Sequence, residues 1–564
     1  MHIHLKGKTY SINIISDRMN KARLLITIIL AAAGIFVTIG DTHLPAAKGI
    51  DHEGFSATRA SKDIEIISSE PHSIYHPRER AKVKEYLASR FEDLGVNYEI
   101  FDYDSLVDKK GHVFNISNIY SVTEPINEKA NSYILLIAHY DSSPVKEIKG
   151  EKVVSYGAAD DGYGLATILE LLKNVLYTRS EWKQGIKVLF TDSEEYGLNG
   201  IKKALKYERD IFENVGLVIN IEARGVRGPA ILFETTSGNS RLIELYKNSS
   251  RPYAYSFTSA VYSILPNYTD FTLLKDTLPG LNFSVIDNLN YYHTNLDNFD
   301  NISLKSIQHY GDQILPLVST FLTDQKYSDN NSLRSNENCV YFTIPFLGLF
   351  SFSQSMYLII KIITSLVFLL LLMAYLKQSR ISFKSIGLIM ILNLFIIAVA
   401  SAAGYLVASI SAKANGLPYR LINLAYVEYE FVFTFATLLL FTVLYRITYI
   451  IIIRRRKISS LNFIASGNIL MLTLSFVSYF KIGDSIIIFI PSFIAVVMFL
   501  LNIFNYSKYL NIFGVILLLM FVSPIIYSLS VTLAIGSLFV VTALWGLYLW
   551  LLLPLTDRFV RRNV

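Results

Sequence analysis

Two histidines and three acids, His139, Asp160, Glu195, Glu222 and His293, are residue types that bind metal ions, and they follow one another in a fixed order along the chain. Two histidines with three carboxylates suit two zinc ions that share one bridging carboxylate. Of the adjacent acids, Asp160 could take the bridging position while Asp161 caps the helix that starts beside it. Glu194 is then left over, and a spare carboxylate next to a metal can take a proton from water and later hand it to a leaving amine. Asp141, two residues after His139, can hold that histidine's other ring nitrogen. Tyr292, next to His293, can donate a hydrogen bond to an oxyanion. Each residue also has a plainer reading. Asp160-Asp161-Gly162 is a possible helix N-cap, Glu194-Glu195 a solvated turn, His139 a structural histidine and Tyr292 ordinary packing.

These residues need elements that bring them together. His139, Glu194-Glu195 and Glu222 follow or end three apolar runs, YILLIAH, KVLFTDS and GLVINIE, which read as buried strands. In an open α/β sheet, chemistry collects at the carboxyl ends of such strands. Helical patterns are expected at residues 56–68, 78–94, 164–177, 198–207, 241–249 and 304–322. Strands are expected at 98–103, 115–123, 133–139, 187–191, 217–221, 230–234 and 281–286. This alternation argues for a three-layer α/β/α domain with a mostly parallel sheet.

The rest of the chain has a different composition. Of 564 residues, 52% are hydrophobic and the mean hydropathy is +0.37, too apolar for a wholly soluble protein. The excess lies beyond residue 341, where about seven apolar runs are long enough to cross a bilayer: 357–376, 386–410, 431–450, 461–480, 485–504, 510–529 and 532–553. A further apolar segment, 24–40, is either a signal peptide or a membrane anchor; its length favours an anchor. The expected division is an N-terminal segment and anchor (1–42), a metal-site domain (43–327), a polar linker (328–355) and a membrane domain (356–564). The net charge of +6 sits largely beside the apolar runs, as the positive-inside rule predicts, so lipid rather than nucleic acid is the expected partner. Most basic clusters fall on one side if the spans alternate. That side is cytoplasmic, with the C-terminus, and residues 43–340 lie outside the cytoplasm; Lys413 and Arg420 oppose this assignment. The single cysteine, Cys339, allows no intrachain disulfide.

The series His139-x-Asp141, Asp160-Asp161-Gly162, Glu194-Glu195, Glu222 and Tyr292-His293 resembles the co-catalytic dizinc exopeptidases, and within them the membrane-embedded branch of endoplasmic reticulum metallopeptidase and vacuolar membrane protease. The opening FSATRA…PHSIYHPRERAKVKEYL, the phrase YHTNLD and the apolar C-terminal half carry the closer likeness. The resemblance implies a zinc-exopeptidase fold, peptide substrates and two zinc ions. It implies that His139 and Glu222 hold one ion and Glu195 and His293 the other, that Asp160 bridges them, and that Glu194 is the general base, most simply in an aminopeptidase. Two alternatives share the fold: a non-catalytic receptor or scaffold, and a monozinc acyltransferase of the glutaminyl-cyclase type.

Overall fold

The computed structural model describes residues 2–5, 8–11, 44–109, 111–263, 265, 267–379, 383–422, 424, 426–456, 458–504 and 509–560. The apolar segment 24–40 and the basic residues Lys21, Arg23, Arg380, Lys457, Lys508, Arg561 and Arg562 lie outside these. The chain divides into two compact units, Asp41–Met356, and Tyr357–Val564 with Met1–Gly40. Near the start, β1 (His2–Leu5) and β2 (Lys8–Ser11) pair as an antiparallel hairpin.

The unit Asp41–Met356 begins with α1 (Ala57–Ile67) and α2 (Pro77–Asp93), then β3 (Tyr98–Val107), β4 (Val113–Thr123) and β5 (Tyr133–His139). A small hairpin, β6 (Lys146–Ile148) with β7 (Glu151–Val153), precedes α3 (Gly162–Leu176), β8 (Gly185–Thr191), α4 (Asn199–Tyr207) and β9 (Val215–Ala223). There follow β10 (Ile231–Thr235), α5 (Ser240–Tyr246), α6 (Phe257–Tyr262), β11 (Gly280–Val285) and α7 (Leu304–Thr323). The unit closes with β12 (Cys339–Ile344) and β13 (Gly348–Ser353).

Seven strands form one sheet in the order β10-β11-β9-β5-β8-β4-β3. The four central strands β11, β9, β5 and β8 run parallel, while β10 at one edge and β4 and β3 at the other are antiparallel. The sheet is therefore mixed, where the alternation of elements pointed to a mostly parallel one. Strands β5, β8, β9 and β11 are buried along their whole length, because both faces are covered. Their side chains still alternate. Ile134, Leu136 and Ala138 of β5 pack with α1, α3 and α7, whereas Leu135 and Ile137 pack with Ile201 and Ala204 of α4 and with Phe271 and Leu274. This gives the three layers.

The FSATRA segment has a structural role. Ser56 caps α1 by accepting from the Arg59 N–H at 3.2 Å, and Arg59 forms a partly buried ion pair with Glu170 of α3 at 2.5 Å. The expected linker, 328–355, belongs to this unit instead. β12 pairs with β13, Tyr341 is fully buried in the main core, and the carbonyls of Glu337 and Tyr341 accept from the Ser240 and Ser256 N–H groups. The polar residues that suggest a linker here satisfy backbone groups: Asn338 accepts from the Gly238 N–H at 2.7 Å.

The other unit contains helices long and apolar enough to cross a membrane. Seven occur among the described residues: Gln354–Gln378, Phe383–Ala414, Glu430–Ile453, Ser460–Ile482, Ile486–Ile503, Tyr509–Leu533 and Ile535–Asp557. Ionisable groups inside them are partnered. Lys361 donates to the Ser475 carbonyl at 2.8 Å and to Ser485 at 2.9 Å, with the Tyr479 ring 4.5 Å away. Arg446, fully buried, lies 3.7 Å from Asp557. Glu430 begins its helix, as an interfacial residue would.

Candidate metal centre

The parallel register of β5 with β8 and β9 puts three strand ends side by side. His139 is level with Thr191, and Ile137 with Asn220, so His139 comes level with Glu222 two residues further on. His139 Nε2 lies 3.8 Å from Glu222 Oε2 and 3.3 Å from Asp160 Oδ1. On the other side of the same carboxylate, His293 Nε2 lies 3.0 Å from Asp160 Oδ2 and 2.6 Å from Glu195 Oε1. The five residues thus form two groups, His139–Asp160–Glu222 and Asp160–Glu195–His293, and each Asp160 oxygen faces a different histidine.

Several of these atoms have no conventional partner. Asp160 Oδ2, Glu195 Oε1 and His293 Nε2 are buried and close no hydrogen bond among the described residues, although they converge. Buried polar atoms are normally hydrogen-bonded. Electrostatics points the same way. Burial pushes the Glu222 carboxyl up to about 8, reinforced by the Asp160 and Asp270 charges and opposed by His139. Burial also raises Glu194 well above the carboxylate range. Asp160 goes the other way: burial opposes its ionisation, but His139 and His293 together hold it below its ordinary value. The same acids raise both His139 and His293 against the effect of burial; a buried cluster of acids that draws positive charge onto its histidines is one a divalent cation can stabilise in place of protons, so the donor set fits metal at both groups.

The residues around the donors hold them in place. His139 Nδ1 is 3.0 Å from the Asp141 carbonyl and 3.5 Å from its carboxylate, and the same carboxylate accepts the Glu194 N–H at 2.9 Å. Asp141 therefore fixes both His139 and the turn that carries Glu194 and Glu195. Asp161 caps α3 by accepting the Gly164 N–H at 3.0 Å, and also lies 3.3 Å from the His139 N–H. The Asp160–Asp161 peptide is cis. Tyr292 stacks on His293 with ring centroids 3.5 Å apart.

Three residues beside the donors do not stand out in the sequence. Asp297 accepts the Ala159 N–H at 2.7 Å, the Asp160 N–H at 3.3 Å and the Ser155 hydroxyl at 3.2 Å, and burial and the Asp160 charge push it up to about 7. Asp270 accepts from Thr191 at 2.5 Å, and burial raises it to about 6. Lys146, from the β6–β7 hairpin, contacts His293 Nδ1. A clue exists for Asp297 alone: it lies in the YHTNLD phrase, four residues past His293.

Paired histidine–carboxylate groups around one shared acid, beside the carboxyl ends of parallel strands, form a donor set that could hold metal ions. Residues 118–318 match the family model described as Peptidase family M28, so the chain carries a domain of that family. A vacuolar membrane protease from Candida dubliniensis is 26% identical over 366 residues, covering 62% of this chain and 37% of that protein. Endoplasmic reticulum metallopeptidase 1 from Mus musculus is 27% identical over 301 residues, covering 52% of this chain and 31% of that protein. The chain thus spans about a third of the length of these curated relatives. Among solved structures, a Zn-dependent exopeptidase from Parabacteroides distasonis aligns at 18% identity with a TM-score of 0.39, over 47% of this chain and 98% of its own. Beside this M28-type region, seven helices among the described residues are long and apolar enough to cross a membrane.

Proposed function

We propose that the chain is a membrane-anchored dizinc aminopeptidase. The observation that carries this reading is the double donor group sharing Asp160, with an unshared acid, Glu194, beside it. In this reading His139 and Glu222 hold one zinc, Glu195 and His293 hold the other, and Asp160 lies between them. Bound zinc would supply Lewis-acid polarisation of water and of the scissile carbonyl.

The protein groups do the remaining work. Glu194 accepts the proton of the attacking water and delivers it to the leaving amine. Asp141 keeps the Glu194 turn and the His139 ring in register, through the contacts given above. Tyr292, fixed against His293, donates to the developing oxyanion. The acidic lining, Asp270 included, favours a substrate with a cationic N-terminus. In this reading the unit Asp41–Met356 lies outside the cytoplasm, a sidedness supported by the basic residues that flank the apolar runs in the sequence.

The test compares Glu194→Gln with Glu195→Gln in the full chain in detergent. Glu194→Gln keeps its shape and loses only the proton acceptor. Zinc stoichiometry should stay at two while turnover of aminoacyl-nitroanilides falls by roughly 10²–10⁴-fold. Glu195→Gln should lose one zinc. Near-normal turnover in Glu194→Gln would remove the water-activating role, and equal cleavage of N-blocked and free peptides would remove the aminopeptidase assignment.

A further inference from the structure

The segment Pro71-His72-Ser73, part of the PHSIYH opening, lies against the turn that follows β5. The His72 N–H donates to Ser142 Oγ at 3.0 Å, and the Ser142 N–H returns to the His72 carbonyl at 3.4 Å. Ser142 directly follows Asp141, so this two-way clasp fixes the end of the His139-x-Asp141 turn. The His72 ring is held as well: its Nδ1 lies 2.9 Å from the Glu70 carbonyl, and the residue is buried.

Gly157 stands between this clasp and the turn that carries Asp160. Its φ of +66° lies in the left-handed region that favours glycine. A Cβ placed there would meet the Asp160 carbonyl oxygen at 3.0 Å, Ser142 Cβ at 3.1 Å and His72 Cε1 at 3.3 Å. Three segments distant in sequence, around residues 72, 142 and 160, thus meet at one position that has no room for a methyl group. The Gly157 backbone belongs to the same turn. Its carbonyl accepts the Gly162 N–H at 3.0 Å, and its N–H donates to Ser155 Oγ at 3.1 Å, the hydroxyl that also bonds Asp297. In so closely packed an interior an added carbon displaces its neighbours. The nearest of them is the backbone of Asp160, whose carboxylate faces both histidines.

We propose that Gly157 is a positioning residue for the shared acid. Its missing side chain lets the His72–Ser142 clasp and the Asp160 turn close on one another, and that closeness sets where Asp160 stands relative to His139. Because Asp160 belongs to both donor groups, a disturbance at Gly157 reaches both, although Gly157 touches no metal. This inference rests on the dizinc reading above.

The test is zinc affinity, read on the full chain in detergent by competition with a chromophoric chelator and set beside the melting temperature. Gly157→Ala should weaken both zinc ions by about 10–100-fold, the usual loss when the support of a metal ligand is disturbed. Gly95→Ala is the matched control. Gly95 has the same φ of +66° but nothing within 4 Å of the position its Cβ would take, so the substitution strains the backbone without pressing on a neighbour. It should lower the melting temperature and leave zinc affinity unchanged, which separates positioning from loss of stability. If Gly157→Ala does not fold, His72→Ala carries the test. It keeps the backbone clasp, removes the ring that Gly157 packs against, and should weaken both zinc ions several-fold. Native affinity in the variant that carries the test, a loss confined to one zinc, or an equal loss in Gly95→Ala would overturn the proposal. An unmodified chain that holds no zinc would instead remove the dizinc reading, and the proposal with it.

Discussion

Asp297→Asn should weaken metal binding without touching any proposed ligand. Asp297 is 1% exposed and accepts three hydrogen bonds, from the N–H groups of Ala159 and Asp160 and from the Ser155 hydroxyl. An asparagine placed to keep the shortest of these, to Ala159, turns its NH2 toward the Asp160 N–H. One buried donor then faces another. Leaving a buried donor unsatisfied costs about 1–3 kcal/mol, and the strain falls on the backbone that aims Asp160. Loss of an outer partner of a metal ligand typically lowers metal affinity by about 10–100-fold, or roughly 1.4–2.7 kcal/mol. The two magnitudes agree, so most of the penalty should appear as weaker zinc binding at both positions. Competition with a chromophoric chelator, on the full chain in detergent, measures it. Asp297→Ala, which strands all three donors, should be worse and should also lower the melting temperature. Native zinc affinity in Asp297→Asn would refute the reasoning, because Asp160 would then be held by something else.

Three further outcomes are expected. Asp160→Ala should weaken both zinc ions together, and full two-metal occupancy in that variant by elemental analysis would remove Asp160 from the bridging position. Reporters fused after Ser353 and after Val564 should give opposite signals, extracytoplasmic and cytoplasmic respectively; identical signals would mean an even number of spans between them. Burial pulls the His72 imidazole down from 6.5 to about 4, so the unfolded chain takes up a proton below pH 6.5 that the folded one refuses until about pH 4. The stability this group contributes above pH 6.5 is therefore lost as the pH falls toward 4, by roughly 3 kcal/mol, and His72→Gln should flatten that part of the melting-temperature profile.

What the sequence makes legible follows from how each element gains its stability. The strands β5, β8 and β9 are covered on both faces, so they are continuous apolar runs, and the polar residues His139, Glu194, Glu195 and Glu222 stand out where the runs end. Strand direction is different: nothing in the composition of β4 or β10 distinguishes antiparallel from parallel pairing, so the mixed edges emerge only in the structure. The β6–β7 hairpin escapes a hydrophobic pattern because KEI and EKV carry charges and are exposed. The polar stretch before β12 reads as a linker by composition, yet it is bonded to residues 238–240: Asn338 accepts the Gly238 N–H, Ser335 accepts the Ser240 hydroxyl, and the Cys339 N–H donates to Asn239.

The site is legible only in part, for the same reason. Donor identity is a matter of residue type, whereas the holding of a donor depends on contacts between distant segments. Asp297 and Asp160 are 137 residues apart in sequence, and no local pattern links them. The loop that supplies His293 to one donor group also supplies Asp297, which aims the Asp160 shared by both groups. Displacing that loop would withdraw a ligand from one side and misdirect the bridge to the other. Glu222 and His139, on rigid strand ends, would keep their places but lose the carboxylate that joins them to the second group. If the proposed dizinc reading holds, the two donor groups would therefore form together, with the loop around His293 as the part that decides it.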